Sequence, residues 1–331
     1  MTQTVPRSVI LGTGSAVPST VVTNDDLARI VDTSDEWITT RTGIKERRVL
    51  EENQAASDLA LRASERALED AGVAVEELDA IICGTCTADY QFPSLACVLE
   101  AKLGAREVFS FDVNAACSGF LNALSVTDMF VRSGRIGKAL VVGTDVLSRY
   151  LDWQDRSTCI LFGDGAGAAV VSASDNGDRG ILSSRLQTDG SYAETLYIRA
   201  GGSKKPATLE TVEKREHSIY MNGKEVFKVA VRSMEEISRQ VLDDAGLGVD
   251  DISLVVPHQA NRRIITALAA RLDIPMEKVI VNVHKYGNTS AASIPVALDE
   301  VRREGRIADG DIVLLNAFGA GFAWGAAVIR F

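Results

Sequence analysis

The sequence predicts an α/β protein built from two duplicated halves, and three observations predict it. Its 331 residues suit about two domains. Short apolar runs of strand length alternate with amphipathic stretches of helical period. Three segments of the first half also recur, in order, in the second. ALEDAGVAVEELDAIICG from Ala67 matches VLDDAGLGVDDISLVVPH from Val241, an offset of 174. FSFDVNAACSG (109–119) resembles VIVNVHKYGNTSAAS (279–293), with Cys117 opposite Asn288 at offset 171. GKALVVGTD (137–145) pairs with GDIVLLNAF (310–318) at offset 173. Any one match is no more than chance similarity between helix–turn–strand units, but three in register point to duplication. The halves are expected at 1–175 and 176–331.

Along the chain, Ala56, Leu59, Ala60, Ala63 and Ala67 fall at helical spacing and Gly72 follows as a C-cap. Ala80 to Cys83 reads as a buried strand, 94–103 as a helix, and alternating Phe109, Phe111 and Val113 as a strand. A helix over 118–133 and a strand from Ala139 to Val142 complete the first half. Helices between apolar strands imply mostly parallel sheets covered on both faces. Val279–Val283 is expected as a strand, and 187–226, broken by Gly201, Gly202, Lys204, Lys205 and Pro206, as an excursion loop or lid.

Hydrophobic and charged contents of 46% and 24% are those of a globular chain and exclude a disordered or fibrous one. The net charge of −10 argues against a general nucleic-acid binder. Ile312 to Ile329 is uncharged, yet Asn316, Gly319, Gly321 and Gly325 divide it, so strand–turn–strand is expected rather than a membrane span. No basic and apolar leader opens the sequence, and five cysteines form no disulfide framework. A cytoplasmic protein is expected.

Ligands of α/β sheets gather beyond the carboxyl ends of strands. Cys117, His258 and Asn288 all fall at such ends, and the duplication sets Cys117 against Asn288 across the two halves. A cysteine at a helix N-terminus is expected to have a lowered pKa and to act as a nucleophile. Gly119 is expected to leave room for an acyl group, and the FGAGF turn (318–322) to offer backbone amides as an oxyanion hole. Each residue alone has a bland reading: a buried small thiol, a structural histidine, an ordinary Gly-Asn turn. Their joint placement carries the inference.

DVNAACSGF (112–120), PHQAN (257–261), YGNTSAAS (286–293), FGDGAGA (162–168), AFGAGFAWG (317–325) and SDEWITTRTGIKERR (34–48) resemble β-ketoacyl-[acyl-carrier-protein] synthase III. This is an initiating condensing enzyme of the thiolase superfamily, and the resemblance spans essentially the whole chain. It implies a thiolase-like fold, a layered α-β-α-β-α sandwich. It also implies an acyltransferase of fatty acid synthesis in which Cys117 takes an acyl group from an acyl-coenzyme A. His258 and Asn288 then assist decarboxylative condensation with malonyl-acyl carrier protein. The backbone amides of Cys117 and Ala320 are the implied oxyanion hole. Trp37 and Arg156 are implied to sandwich the adenine, with Thr33, Arg41, Asn261 and Arg263 along the tunnel mouth. Phe92 is implied to cross a homodimer interface into the partner's acyl pocket. Acyl carrier protein is acidic, so Lys228, Arg232, Arg262, Arg263 and Arg271 are candidates for docking it. No metal or further cofactor is expected.

Three other readings carry less. Cys83 and Cys86 form a CxxC, but no second pair completes a zinc site and the motif sits at a strand end rather than opening a helix. A papain-like protease also orders Cys, His and Asn, without this local sequence. A non-catalytic carrier-protein binder does not need the three residues intact. Within the condensing enzymes, a specialised-metabolism acyltransferase or starter-loading enzyme is the alternative.

Overall fold

A computed structural model describes residues 6–174 and 177–331; the expected boundary between 175 and 176 lies outside the described residues. Strand β1 (Arg7–Ala16) is followed by the hairpin of β2 (Thr20–Thr23) and β3 (Glu46–Val49), which encloses helices α1 (Asn24–Ala28) and α2 (Asp35–Thr42). Helix α3 (Ala56–Ala71) ends at Gly72 with φ +62°, a conformation glycine adopts without a Cβ penalty. Next come β4 (Ala80–Gly84), α4 (Leu95–Leu103), β5 (Phe109–Val113), α5 (Gly119–Arg132), β6 (Lys138–Val146) and β7 (Asp164–Ser174). The second half runs β8 (Gly180–Thr188), β9 (Leu196–Ile198), α6 (Leu209–Glu213), β10 (Ile219–Met221) and α7 (Gly223–Ala245). It continues through β11 (Leu254–Pro257), α8 (Arg262–Leu272), α9 (Val283–Tyr286), α10 (Ser293–Arg303), β12 (Ile312–Gly319) and β13 (Ala323–Arg330).

The two main sheets repeat one topology. The first has the order β1-β7-β6-β4-β5 and the second β8-β13-β12-β11. The expectation of mostly parallel sheets is corrected: β4 runs parallel to β5 and β6, but β1, β6 and β7 pair antiparallel. In the second sheet only β11 and β12 are parallel. For β12 and β13 the physical reason is the connection, because a parallel crossover needs a dozen or more residues, usually a helix. β12 returns through the three-residue turn 320–322.

The expected strand Val279–Val283 is also corrected. Only Val279 bridges to β11. The Gln259 side-chain carbonyl accepts the amides of Asn282 at 2.9 Å and Val283 at 3.1 Å, diverting them from a ladder into α9. The region expected as a loop contains β9, α6 and β10, with β9 and β10 paired as a small ribbon.

Alternation on the strands sorts side chains into layers. Val313, Leu315 and Ala317 of β12 face a core shared with Ile82 of β4, Phe120 and Leu124 of α5, and Ile294 and Leu298 of α10. Ile312, Leu314 and Phe318 face α7 and α8. Ile81 and Cys83 face α3 and α4. The result is five layers, α-β-α-β-α, with α5 and α10 between the sheets. Among the described residues no helix is long and apolar enough to cross a membrane, and all five cysteines are free.

Candidate active site

Cys117 sits in the tight turn Ala116–Ser118 that joins β5 to α5. Ala116 takes φ +46°, a left-handed conformation unusual for a residue with a Cβ, and this turn aims the following side chain inward. The Ser290 hydroxyl donates to the Cys117 Sγ at 3.3 Å. The lowered pKa expected of this cysteine is corrected. Burial, reinforced by the nearby Asp145 carboxylate, pushes the thiol up to about 12, and the Ser290 hydrogen bond and the Cys117 backbone amide oppose that only in part. Desolvation wins because the sulfur is buried in a largely apolar surrounding, whereas a helix end acts on it only as a partial charge.

His258 follows β11, and its backbone N–H donates to the Asn316 carbonyl of β12 at 2.7 Å. The ring is buried and Nδ1 has no hydrogen-bond partner. Burial drives its pKa down to about 3, so the imidazole is neutral at ordinary pH. Asn288 is held through its main chain: its N–H donates to Leu161 at 2.8 Å, and its carbonyl accepts from Gly163 at 3.0 Å. Its side-chain Oδ1 accepts the Ser290 N–H at 2.8 Å. Since only an oxygen can meet that N–H, the Nδ2 amino group is the end left for a ligand.

The expected equivalence of Cys117 and Asn288 is displaced. The turn Ala116–Ser118 before α5 corresponds to Ser290–Ala292 before α10, an offset of 174 between 116 and 290. Ala116 and Ser290 share left-handed φ values of +46° and +52°. Cys117 therefore corresponds to Ala291, and Asn288 to Asn114. The two residues still meet: Cys117, His258, Asn288, Phe318 and Gly319 line one cavity of about 150 Å³. A second, wider space of about 680 Å³ opens on the other side of Cys117, past Cys86, Thr87, Leu147, Ser290 and Ala320.

Two glycines do different work from one another. A Cβ at Gly319 would stand 2.7 Å from the Cys117 amide nitrogen, so its absence keeps that N–H open to the cavity. Gly119 does not leave acyl room as expected: its Cβ would meet Gly84 at 3.1 Å and Ala291 at 3.2 Å, so it lets α5 pack on β4.

Residues 111–190 match the family described as 3-oxoacyl-[acyl-carrier-protein (ACP)] synthase III, and 242–331 match its C-terminal part. The chain is 53% identical to the β-ketoacyl-[acyl-carrier-protein] synthase III of Caldanaerobacter subterraneus subsp. tengcongensis over 321 residues, 97% of either chain. It belongs to the β-ketoacyl-[acyl-carrier-protein] synthase III family. The crystal structure of 3-oxoacyl-[acyl-carrier-protein] synthase III from Aquifex aeolicus superposes with a TM-score of 0.91 at 51% identity, covering 98% of this chain and 100% of that one. The chain is therefore an acyltransferase of the condensing type with the thiolase-like fold.

The positions that the synthase III resemblance assigns to coenzyme A lie on α2 and just before it, at the N-terminal end of α8, and in the loop before β7. The guanidinium of Arg41 is 4.2 Å from the Trp37 ring centroid and that of Arg156 is 4.7 Å. Arg156 also donates to the Asp32 carbonyl at 2.6 Å. A base stacked between Trp37 and Arg156 needs about 7 Å, two contacts of ~3.5 Å. The pair is thus closed on itself, and Arg156 has to swing out by a few ångström to admit one. Asn261 caps α8, accepting the Arg263 N–H at 2.8 Å, and its residue lines the Cys117 cavity. Thr33 is partly buried with an unpaired hydroxyl.

Phe92 is 86% exposed. Among the basic candidates, Arg271 is paired to Glu235 at 2.7 Å and Arg232 lies 3.9 Å from Glu236. Arg262 and Arg263 instead flank an open groove with Thr39, Gly43 and Phe227. The CxxC cysteines form no disulfide; the backbone N–H of Cys86 donates to Asp145 at 2.8 Å and its thiol at 3.4 Å. Sequence reasoning missed Ser290, Gln259 and Asp145. The first two lay beside Asn288 and His258 inside quoted motifs, and only their side-chain directions in space reveal what they touch.

Proposed function

We propose that this chain condenses a short acyl-coenzyme A primer with malonyl-acyl carrier protein, giving a 3-oxoacyl-acyl carrier protein that starts fatty acid synthesis. The observation that carries the reading is the convergence of Cys117 from one half with His258 and Asn288 from the other on one cavity. The Cys117 sulfur attacks the acyl thioester and keeps the acyl group, and the released coenzyme A leaves as the thiol. The amides of Cys117 and Ala320 stabilise the tetrahedral oxyanion. Malonyl thioester then loses carbon dioxide. A neutral imidazole and a carboxamide whose Oδ1 is already engaged, leaving Nδ2 to donate, are both suited to the enolate oxygen that develops. Loss of carbon dioxide supplies the driving force, so the step needs no metal and no further cofactor.

In this reading Trp37, Arg156, Arg41, Thr33, Asn261 and Arg263 receive coenzyme A, and Arg262, Arg263 and Lys228 receive the acidic carrier. Exposed Phe92 meets a second copy in a homodimer, and the enzyme works in the cytoplasm on halves divided near 175. Incubation with radiolabelled acetyl-coenzyme A tests the central step. Label should appear on the peptide containing Cys117 and be absent in Cys117→Ala. A screen of acetyl, propionyl, isobutyryl and longer primers should favour the short ones; label on another residue would overturn the assignment.

A further inference from the structure

Ser290 touches two of the three residues that converge on the cavity. Its hydroxyl donates to the Cys117 sulfur at 3.3 Å and its backbone N–H donates to the Asn288 Oδ1 at 2.8 Å. The next amide, that of Ala291, donates to the buried Asp145 carboxylate at 3.2 Å, so the turn is pinned from a third direction. Asp145 also accepts the Thr85 and Thr87 hydroxyls at 3.2 and 2.9 Å, fixing its own position at the end of β6.

The backbone at Ser290 has φ +52°, where glycine rests without strain and a residue with a Cβ does not. The equivalent turn in the first half makes the same left-handed step at Ala116, φ +46°, with no hydroxyl. A hydroxyl is therefore not needed to form the turn. At 290 a side chain is carried at a position that favours none, and it is buried against a nucleophile.

We propose that Ser290 is a catalytic residue of the acyl-transfer step: its hydroxyl stabilises the Cys117 thiolate while its backbone N–H orients the Asn288 carboxamide as a donor. This rests on the reading of Cys117 as the nucleophile. Ser290 keeps its own proton throughout. The Cys117 S–H proton ends on the sulfur of the departing coenzyme A, the new C–S bond forms at Cys117, and the old C–S bond to coenzyme A breaks. Burial and the Asp145 carboxylate push the Cys117 thiol upward, the Cys86 thiol is a further titratable group beside it, and the Ser290 bond is the largest influence opposing the rise.

The test measures iodoacetamide alkylation of Cys117 against pH by peptide mass spectrometry, in the parent, Ser290→Ala and Ser290→Gly. Glycine suits the backbone and alanine keeps the Cβ, but neither has the hydroxyl. Both variants should alkylate about tenfold more slowly than the parent at every pH from about 7 to 9, where the rate follows the small thiolate fraction. Single-turnover acylation by acetyl-coenzyme A should slow by a similar factor. A rate equal to the parent's in either variant, or slowing in one variant alone, overturns the role of the hydroxyl. Acyl transfer persisting in Cys117→Ala would instead refute the nucleophile assignment, whatever the serine variants do.

Discussion

Replacing Gly319 with alanine tests whether the Cys117 amide is part of the chemistry. The new Cβ would lie 2.7 Å from the Cys117 nitrogen, 3.0 Å from the Ala115 carbonyl oxygen and 3.1 Å from the Ser118 nitrogen. All three are backbone atoms of the turn that carries the nucleophile, so no flexible side chain can yield. Reaching ordinary contact near 3.5 Å requires the turn or β12 to shift by about 0.8 Å. Displacement on the order of 1 Å at a reacting group costs about 10²-fold, and loss of one oxyanion donor costs about 10²–10³-fold. The two are the same injury, so acylation should fall by about 10²–10³-fold, some 3–4 kcal/mol of barrier. Overpacking should cost the fold about 1–3 kcal/mol. Single-turnover acylation followed by intact mass, with thermal unfolding alongside, measures both. A folded Gly319→Ala protein that acylates within fivefold of the parent would refute the reasoning.

Other expectations follow from the same geometry. His258 is neutral when folded, with a pKa near 3 against an ordinary 6.5, so the unfolded chain binds the extra proton. That contribution to stability is present above pH 6.5 and is lost as pH falls toward 3, at up to about 1.4 kcal/mol per unit. Urea midpoints from pH 7 to 4 should fall less steeply in His258→Gln, and parallel slopes would contradict this. Arg47 is fully buried and donates to the Val22 carbonyl at 3.0 Å, Asn24 Oδ1 at 2.9 Å and the Ile160 carbonyl at 2.8 Å. Arg47→Met should destabilise by about 3 kcal/mol through unpaired acceptors and slow turnover, because 161–163 hold the main chain of Asn288; an unchanged melting temperature would count against it. Trp37→Ala should raise the KM for acyl-coenzyme A about tenfold, as expected for one lost stacking contact of ~1–3 kcal/mol, with a smaller effect on kcat. Steady-state kinetics checks this, and an unchanged KM would remove Trp37 from the site.

The periodicity of 56–71, the glycine at 72 and the alternation of 109–113 were legible because each is a local demand on the backbone. The duplication was legible too, since it survives as letters in register. Its exact pairing was not: matching Cys117 to Asn288 missed by three residues, because letters do not report which residue turns left-handed. Sheet direction was hidden for a related reason. It depends on how a connection returns in space, and the 320–322 turn and the Gln259 side chain settle it for β13 and for 279–283.

The nucleophile, the imidazole and the carboxamide were expected from the chain alone as strand-end residues; Cys117 and His258 do follow β5 and β11, whereas Asn288 follows α9. What only the folded protein decided is their electrostatic state. Strands of both halves bury Cys117 and His258, and removing water from around them makes one a neutral thiol and the other a neutral ring. Desolvation is set by everything packed within several ångström, and most of those atoms belong to residues far away in sequence.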